Sequence, residues 1–352
     1  MKKIVMTGGG TAGHVVPNIA LFDSLERDYK IYYIGSNAGI EKDLVEKSGI
    51  PYYGISSGKL RRYIDIKNFT DTFRVLKGFA SAVSILKKIK PDIVFSKGGY
   101  VIVPVVLAAG LLNIPVVLHE SDITPGLANR LSLPFSKAVC TSFPETGEHL
   151  KKKRVHLTGS PIRASLFKGD AAKGLYICGF DSSKPLLLAM GGSQGAAKLN
   201  SVLREALCTL NKSYNIVHLC GKNNLSPELE EAAGYVQFEY LDEELPHVLA
   251  AADIIVSRAG ANSIFEFLAL RKPHLLIPLP RTKSRGDQIL NAESFKNQGF
   301  SKVLHEENMD ASAFVLEIID LYSQKEKYIE AMESSQLKDS VSEIVRIIKR
   351  YS

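Results

Sequence analysis

The sequence predicts an α/β protein built from two doubly wound, Rossmann-like domains. Short runs rich in Val and Ile alternate with amphipathic stretches of helical period, which is the pattern of βαβ units and parallel sheets. Glycine-rich turns follow several of these runs, and such turns often place an anionic group at the start of a helix. The second half of the chain also resembles the first, so two similar domains are expected.

Strands are predicted at the apolar runs. They cover residues 3–7, 31–35, 92–96, 115–119, 138–141, 185–190, 216–220, 236–238, 253–257 and 274–278. The internal repeat is clearest between DIVFSKGG…NIPVVL (92–118) and DIIVSRAG…KPHLLIP (253–278). A second pair, residues 4–25 and 186–207, shares the order of strand, glycine-rich turn and helix.

The length of 352 residues suits two domains of about 150 to 180 residues each. Glycine, proline and charged residues interrupt the pattern at TGSPIRASLFKGD (158–170). We therefore predict domains at 1–163 and 164–333, followed by one last amphipathic helix over 334–352.

The composition is that of a soluble globular protein, with 45% hydrophobic and 23% charged residues. The longest apolar stretch, 101–118, is broken by Pro104, Gly110, Asn113 and Pro115, so it predicts buried α/β structure rather than a membrane span. The apolar run at the N-terminus is too short for a signal peptide. The four cysteines have no metal-binding spacing, which predicts inert, reduced, buried thiols in a cytosolic protein and no metal site.

Positive charge is concentrated in the first half of the chain. Residues 1–165 carry 23 Lys and Arg against 13 Asp and Glu, whereas the remainder carries 21 against 24. A basic half indicates an anionic partner: nucleic acid, an acidic membrane surface or a phosphorylated substrate.

The first glycine loop has the spacing Gly8-x-Gly10-x-x-Gly13, which is typical of a dinucleotide-binding turn. An NAD-dependent enzyme would also need an acid at the end of the second strand, but that strand ends in Gly35-Ser36-Asn37. The chain also lacks the GK[ST] of a P-loop. We therefore expect this loop to hold a different phosphate group.

Three further turns carry candidate binding residues. GGSQG (191–195) places Ser193 at a predicted helix start, where it could bind a diphosphate or simply cap the helix. In SRAGANSIFEF (257–267), a helix is predicted to begin at Ala261 to Ser263, and Glu266, one turn later, could accept hydrogen bonds from a ribose or merely offset the helix dipole. SRGDQILNA (284–292) places Asp287 and Gln288 beside a predicted helix start, with polar groups suited to sugar hydroxyls.

These motifs together resemble one family closely. They are TGGGTAGHVVPN, GGYVIVPVVLAA, HESDITPGLANR, TGSPIR, MGGSQGA, SRAGANSIFEFLALRKP and GDQILNA. The chain is similar over nearly its whole length to the bacterial N-acetylglucosaminyltransferases of glycosyltransferase family 28, which convert lipid I into lipid II. The resemblance implies the GT-B fold: two Rossmann-like domains facing a cleft, and a C-terminal helix that crosses back to the first domain.

The resemblance assigns the lipid acceptor to the first domain. Thr11, Ala12 and Gly13 match a loop for the acceptor diphosphate and the donor sugar, and His14 matches the family histidine at its edge. Asp122 stands where the family has an asparagine that contacts the donor sugar. Ala12 replaces a glycine and Asp287 a glutamine, so these departures suggest a distinct branch of the family.

The resemblance assigns UDP-N-acetylglucosamine chiefly to the second domain. The matching positions are Arg163 and Ser193 for phosphates or nucleotide, Ala261, Asn262 and Ser263 for the UDP phosphates, Glu266 for the ribose, Gln288 for the sugar hydroxyls and a backbone contact near Leu241 for uracil.

The family needs neither metal nor cofactor, so helix N-termini and Arg163 would stabilise the departing UDP. We nominate His14 as the base, because a helix N-terminus disfavours its cationic form. Alternatively, His14 only hydrogen-bonds the acceptor diphosphate. His119, Glu120 and Asp122 are further catalytic candidates, and Glu120 could equally be a buried structural acid.

Residues 57–90 contain nine Lys and Arg against two acids, interleaved with Leu60, Tyr63, Phe69, Phe73, Leu76 and Phe79. This segment predicts contact with an anionic membrane surface, or else an ordinary helix with its apolar face packed inward. The resemblance implies a peripheral protein at the cytoplasmic face of the bacterial cell membrane, with UDP-N-acetylglucosamine, lipid I and other cell-wall synthesis proteins as partners. No motif resembles a nucleic-acid-binding module.

Two other functions stay open from the sequence. One is a different GT-B enzyme, either a diacylglycerol glycosyltransferase or a UDP-N-acetylglucosamine 2-epimerase. The other is a non-catalytic module that binds a nucleotide-sugar.

Overall fold

The computed structural model describes residues 1–58, 67–150, 154–192, 195–284 and 286–352, without the side chains of 67–72 and 338. These residues form two compact units. The N-terminal unit comprises Met1–Arg163 and Asp339–Ser352, and the C-terminal unit comprises Ala164–Lys338.

The N-terminal unit contains a parallel sheet with the strand order β3-β2-β1-β4-β5-β6-β7. Its strands are β1 (Lys2–Thr7), β2 (Tyr29–Ser36), β3 (Tyr52–Ile55), β4 (Ile93–Ser96), β5 (Val116–Glu120), β6 (Ala138–Thr141) and β7 (Val155–Leu157). Its helices are α1 (Ala12–Ile19), α2 (Phe22–Leu25), α3 (Ile40–Glu46), α4 (Lys67–Ile89), α5 (Ile102–Leu111) and α6 (Leu127–Ser132), with 3-10 turns at Leu133–Phe135 and Pro144–Leu150.

The C-terminal unit contains a second parallel sheet, with the order β10-β9-β8-β11-β12-β13. Its strands are β8 (Leu186–Met190), β9 (Asn215–Leu219), β10 (Tyr235–Phe238), β11 (Ile254–Ser257), β12 (His274–Leu276) and β13 (Ser301–Val303). Its helices are α7 (Ala171–Cys178), α8 (Ala197–Leu210), α9 (Leu245–Ala251), α10 (Ala261–Ala269), α11 (Asp287–Asn297), α12 (Ala311–Ser323) and α13 (Lys325–Ser334), with 3-10 turns at Ala164–Lys168, Pro227–Leu229 and Glu306–Asn308.

Both sheets have the strand order of a doubly wound Rossmann fold, which confirms the predicted class. The central strands are buried on both faces, as parallel sheets covered by helices require. All four residues of β4 are buried, and so are all five of β5. This double burial explains why the apolar runs predicted the central strands.

Three strands were not predicted: β3, β7 and β13. Each lies at the edge of its sheet and has only three or four residues, with the sequences YYGI, VHL and SKV. An edge strand is covered on fewer sides than a central one, so it does not need a continuous apolar run.

The apolar stretch 101–118 forms α5 and most of β5, as expected of buried α/β structure. Within the described ranges, no helix is long and apolar enough to cross a membrane.

The predicted single helix over 334–352 is wrong at its start. Helix α13 ends at Ser334, a 3-10 turn covers Gln336–Asp339, and a new helix, α14 (Ser340–Tyr351), follows. The Asp339 side chain accepts a hydrogen bond from the Ser342 amide at 3.3 Å and caps α14.

Helix α14 packs its apolar face into the core of the N-terminal unit. Its buried Ile344 and Ile348 join a cluster with Ile4 and Met6 of β1. At its end, the Lys2 ammonium donates to the Ser352 carbonyl at 2.8 Å. The C-terminal residues therefore complete the N-terminal unit.

The four cysteines are free thiols, and burial raises the pKa of Cys140 to about 12 and that of Cys178 to about 11. The prediction of buried thiols is wrong for Cys208, which is exposed on α8.

Candidate functional site

In each unit the strand order reverses beside the first strand, between β1 and β4 and between β8 and β11. Ligands of open α/β sheets bind beyond the carboxyl ends of the strands at this point. The candidate residues of the N-terminal unit follow β1, β4, β5 and β7, and those of the C-terminal unit follow β8, β10, β11 and β12.

Two glycine loops interlock in the N-terminal unit. The Gly9 amide donates to the Gly98 carbonyl at 3.3 Å. Gly99 has φ +88°, and a Cβ added to it would lie 2.0 Å from the Gly9 carbonyl oxygen. Gly10 also has φ +88°, and its Cβ would lie 2.5 Å from the Tyr100 ring. Only glycine fits this backbone conformation without strain, so the sequence of the two loops fixes their close approach.

Helix α1 begins at the end of the first loop. Its N-cap, Thr11, has extended backbone geometry, and its side chain makes no capping hydrogen bond to the described residues. The first turn contains no acid, and Thr11 and Ala12 are exposed. The partial positive charge of the helix end is therefore accessible to an anionic group.

His14 lies at the junction of the two loops. It is half-buried in the first turn of α1, and its Nδ1 is 3.3 Å from the position that a Cβ on Gly98 would take. Its backbone amide donates to the Thr11 carbonyl at 3.1 Å. The imidazole therefore lies in the first turn of α1, beside the second glycine loop.

Glu41 is a buried acid beneath the first loop that the sequence did not reveal. Its carboxylate accepts hydrogen bonds from the Gly10 amide at 3.3 Å, the Ser36 amide at 3.0 Å and the Ser36 hydroxyl at 2.5 Å. An NAD-binding domain would place an acid at the end of β2 for the ribose. Here the buried acid comes from α3 and hydrogen-bonds the loop itself.

Glu120, a predicted catalytic residue, organises the turn after β5. Its two oxygens accept hydrogen bonds from the Asp122 amide at 3.1 Å, the Gly126 amide at 3.0 Å and the Asn129 side chain at 2.8 Å. It is 5% exposed, and burial raises its pKa. These contacts favour the structural alternative for Glu120, while they place the half-buried Asp122 at the rim of the turn.

His119 is fully buried on β5. Its Nε2 lies 2.9 Å from the Gly159 carbonyl and therefore carries the donated proton. Burial, reinforced by the charge of Lys97, lowers its pKa well below the usual range. The ring has no exposed surface, so His119 is a weaker candidate for the base than the half-buried His14.

Lys97 is a second charged residue that the sequence analysis missed. It follows β4 directly, is 1% exposed and donates from its ammonium to the Ser121 hydroxyl. Burial lowers its pKa to about 8, although the charges of Glu120 and Asp122 oppose that shift. One feature of the sequence could have identified Lys97: in SKGG, a cation stands between a predicted buried strand and a pair of glycines.

In the C-terminal unit, helix α10 begins at Ala261, as predicted. Its N-cap is Gly260, and its first turn, which includes Asn262 and Ser263, contains no acid. Arg258 precedes it in the chain and is 8% exposed. This helix end can therefore also attract an anionic group.

The sequence analysis did not identify Arg258 either. Two contacts fix the position of its guanidinium. It forms an ion pair with Glu306 and donates to the Ile277 carbonyl at 3.1 Å. Glu306 also pairs with Lys283 at 2.8 Å. Burial alone would raise the pKa of Glu306, but these two cations outweigh it and lower the pKa.

Glu266 and Gln288 follow neighbouring strands. Glu266 is half-buried in the second turn of α10. The Gln288 side-chain oxygen accepts a hydrogen bond from the Leu279 amide at 3.1 Å, so the amide nitrogen is the group of this side chain that can donate. Asn291 donates to the Ala259 carbonyl at 3.3 Å and ties α11 to the loop before α10.

For the other predicted residues, Leu241, Arg163 and Ser193, the structure gives fewer contacts. Leu241 is 6% exposed, in the turn after β10. Arg163 is half-buried, and its Nε has no hydrogen-bond partner among the described residues. Ser193 lies outside the described residues, and α8 begins at Ala197 rather than at Ser193. Across the described ranges, no group of His, Cys, Asp and Glu has the arrangement of a metal site.

Comparison with family models and curated proteins gives consistent matches. Residues 4–141 match the glycosyltransferase family 28 N-terminal domain, and residues 186–350 match its C-terminal domain. A protein from Lachnoclostridium phytofermentans is 55% identical over 350 residues, which is 99% of each chain. One from Clostridium tetani is 55% identical over 99% of this chain and 98% of its own. Both are named UDP-N-acetylglucosamine--N-acetylmuramyl-(pentapeptide) pyrophosphoryl-undecaprenol N-acetylglucosamine transferase.

Solved structures give the same fold. MurG from Acinetobacter baumannii matches with a TM-score of 0.77 and 26% identity, covering 99% of this chain and all of that one. The calicheamicin glycosyltransferase CalG4 matches with a TM-score of 0.72 at 12% identity, covering 100% and 98% of the two chains, and supports the fold alone. These matches confirm the predicted GT-B fold of two Rossmann-like domains.

Proposed function

Because the chain belongs to glycosyltransferase family 28, we propose that it transfers N-acetylglucosamine from UDP-N-acetylglucosamine to N-acetylmuramyl-(pentapeptide) pyrophosphoryl-undecaprenol, lipid I. The products are lipid II and UDP, in bacterial peptidoglycan synthesis. One observation carries the proposal: relatives with this named activity are 55% identical over 99% of this chain. The exposed start of α1 and the start of α10, whose first turn contains no acid, support it, because both substrates carry a diphosphate.

The C-terminal unit is proposed to bind the donor. The start of α10, at Ala261, Asn262 and Ser263, faces the UDP phosphates, and its positive end complements their charge. Glu266 accepts hydrogen bonds from the ribose hydroxyls, and the Gln288 amide donates to the sugar. Further residues proposed to bind the donor are Ser193 and Leu241 of this unit and Arg163, which belongs to the N-terminal unit.

The N-terminal unit is proposed to bind the acceptor. Thr11, Ala12 and Gly13 hold its diphosphate at the start of α1, and Asp122 contacts the donor sugar. Glu120 acts as a positioning residue through its hydrogen bonds to the turn that carries Asp122.

Transfer is a single displacement with inversion at the anomeric carbon. The acceptor hydroxyl oxygen bonds to that carbon as the bond from the carbon to the UDP oxygen breaks. His14 takes the hydroxyl proton, and UDP leaves with the electron pair of the broken bond. Preorganised positive potential at the helix N-terminus and Arg163 stabilises the charge on UDP.

Product analysis tests this function. The protein is incubated with UDP-N-acetylglucosamine and a lipid I analogue, and the lipid products are examined by mass spectrometry and NMR. A disaccharide with inverted anomeric configuration is expected. Conversion of UDP-N-acetylglucosamine without the analogue would favour a 2-epimerase, and nucleotide binding without any turnover would favour a non-catalytic module.

Replacing Glu266 with Gln is expected to weaken donor binding. Hydrogen bonds to a charged group contribute about 1.5–3 kcal/mol each, so the KM for UDP-N-acetylglucosamine should rise roughly 10- to 100-fold. Calorimetry should show a similar loss in UDP affinity. Glu205→Gln, on the exposed face of α8 in the same unit, is the matched control and should change neither value. Equal affinities in the two variants would contradict the role of Glu266.

The basic segment 57–90 is proposed to contact an anionic membrane at the cytoplasmic face. Residues 59–66 and the side chains of 67–72 lie outside the described part, which leaves Leu60, Tyr63 and Phe69 unassigned. Phe79 packs against the core, whereas Phe73 and Leu76 are 60% and 59% exposed on α4. Two exposed apolar side chains on a basic helix support membrane contact.

Leu76→Ser is expected to reduce co-sedimentation with anionic phosphatidylglycerol vesicles severalfold, because it removes apolar area available for insertion. Leu316→Ser, on an exposed apolar residue of the C-terminal unit, is the control and should sediment as the wild type does. Equal sedimentation of the two variants would contradict this surface.

A further inference from the structure

Lys97 is a buried cation at the strand-order reversal of the N-terminal unit. Its ammonium donates to the Ser121 hydroxyl, and the side chain is 1% exposed. A buried charge is costly unless it is paired and hydrogen-bonded. A neutral side chain at this position would avoid the free-energy cost of burying a charge. The presence of a lysine therefore suggests that its charge has a role.

The titratable groups that act on Lys97 lie on β5, on β6 and in the turn after β5. Glu120 at the end of β5 and Asp122 in the following turn favour its charged form, whereas the Cys140 thiol on β6, with a pKa of about 12, is neutral. His119 on β5 is kept neutral partly by Lys97. Glu120 already accepts three hydrogen bonds from its own turn, and the charge of Asp122 raises its pKa further. The charges of both acids therefore favour the charged form of Lys97, whose ammonium hydrogen-bonds Ser121, the residue between them in the chain.

The same position holds a cation in the C-terminal unit. Lys97 follows β4 in VFSKGG, and Arg258 follows the corresponding β11 in IVSRAG. Arg258 pairs with Glu306 beside the start of α10. Both units therefore place a buried cation next to the loop expected to meet a diphosphate.

We propose that Lys97 is a positioning residue for the acceptor, which neutralises Asp122 and holds Ser121 so that the turn after β5 stays compatible with a bound diphosphate. This inference rests on the proposed function. Without the ammonium, the Asp122 carboxylate would repel an anionic acceptor near the loops at Gly8–Gly10 and Gly98–Gly99. The effect of Lys97 is therefore on acceptor binding and is transmitted through Asp122.

The test compares the full-length wild type with Lys97→Met, Asp122→Asn and the double variant, using a lipid I analogue. At pH 7.5, Lys97→Met should raise the acceptor KM about tenfold or more with a smaller change in kcat. Adding Asp122→Asn should restore most of that loss, because the unbalanced carboxylate is gone. An acceptor KM of Lys97→Met within twofold of the wild type overturns the inference, and so does a loss that Asp122→Asn leaves unchanged.

The pH dependence gives a second readout. The pKa of Lys97 is about 8, so its charge is lost as the pH rises through that value. The acceptor KM of the wild type should rise between pH 7.5 and 9, and it should rise less in Asp122→Asn. If Lys97→Met does not fold, the test rests on comparing the wild type with Asp122→Asn. An equal rise in the acceptor KM of both proteins over this pH range overturns the inference. A wild type that forms no disaccharide overturns the proposed function instead.

Discussion

His14→Gln is expected to lower the kcat of transfer by about 10²- to 10⁴-fold, which is the usual contribution of a general base. The imidazole lies in the first turn of α1 beside Gly98, where it can reach a hydroxyl of an acceptor bound at that helix end. Glutamine keeps a hydrogen-bonding group of similar reach but cannot accept the proton. The affinity for UDP should be unchanged, because His14 is not among the residues proposed to bind UDP.

Steady-state kinetics separates the two roles of His14. A base affects kcat, whereas a group that only hydrogen-bonds the acceptor diphosphate affects the acceptor KM. His149→Gln, an exposed histidine of the same unit, is the matched control and should leave both constants within twofold. A raised KM with unchanged kcat in His14→Gln would refute the base and support the diphosphate contact.

Gly99→Ala is expected to destabilise the N-terminal unit by about 3–5 kcal/mol, a size reached only through a severe local conflict. The added methyl would lie 2.0 Å from the Gly9 carbonyl oxygen, and φ at Gly99 is +88°. That oxygen belongs to the interlocked first loop, so relief of the clash must displace both loops. Transfer activity should fall together with stability.

Calorimetry of the purified variant measures this effect. For a unit of this size, each 1 kcal/mol corresponds to about 2–4 °C in Tm, so a decrease of roughly 6–20 °C is expected. Gly147→Ala is the matched control, because a Cβ at that position meets nothing within 4 Å, and its Tm should change by no more than about 1 °C. An unchanged Tm in Gly99→Ala would show that the loops are not in the described contact.

The sequence predicted those parts of the fold whose burial leaves a local pattern. Strands such as β4 and β5 are covered on both faces and read as continuous apolar runs. The edge strands β3, β7 and β13 do not have that pattern. The break between α13 and α14 was missed because it depends on a cap at Asp339, which resembles any other polar residue of an amphipathic stretch.

For the candidate sites too, the sequence predicted the features that have a local pattern and missed those that depend on long-range contacts. The starts of α10 and α11 were predicted correctly because glycine and polar residues mark them locally. Lys97 and Glu41 were missed because their burial arises from long-range contacts. Lys97 reaches a hydroxyl 24 residues away, and Glu41 hydrogen-bonds an amide 31 residues away. A charged residue is usually exposed, so only the tertiary structure reveals these two.

The central claim is that the protein couples the loss of UDP to transfer onto a lipid acceptor. The most direct measurement is the rate of UDP release from UDP-N-acetylglucosamine by the purified protein, with and without a lipid I analogue. We expect release that depends on the analogue and equals the disaccharide formed. Release at the same rate without the analogue would contradict the account, and so would no release in its presence.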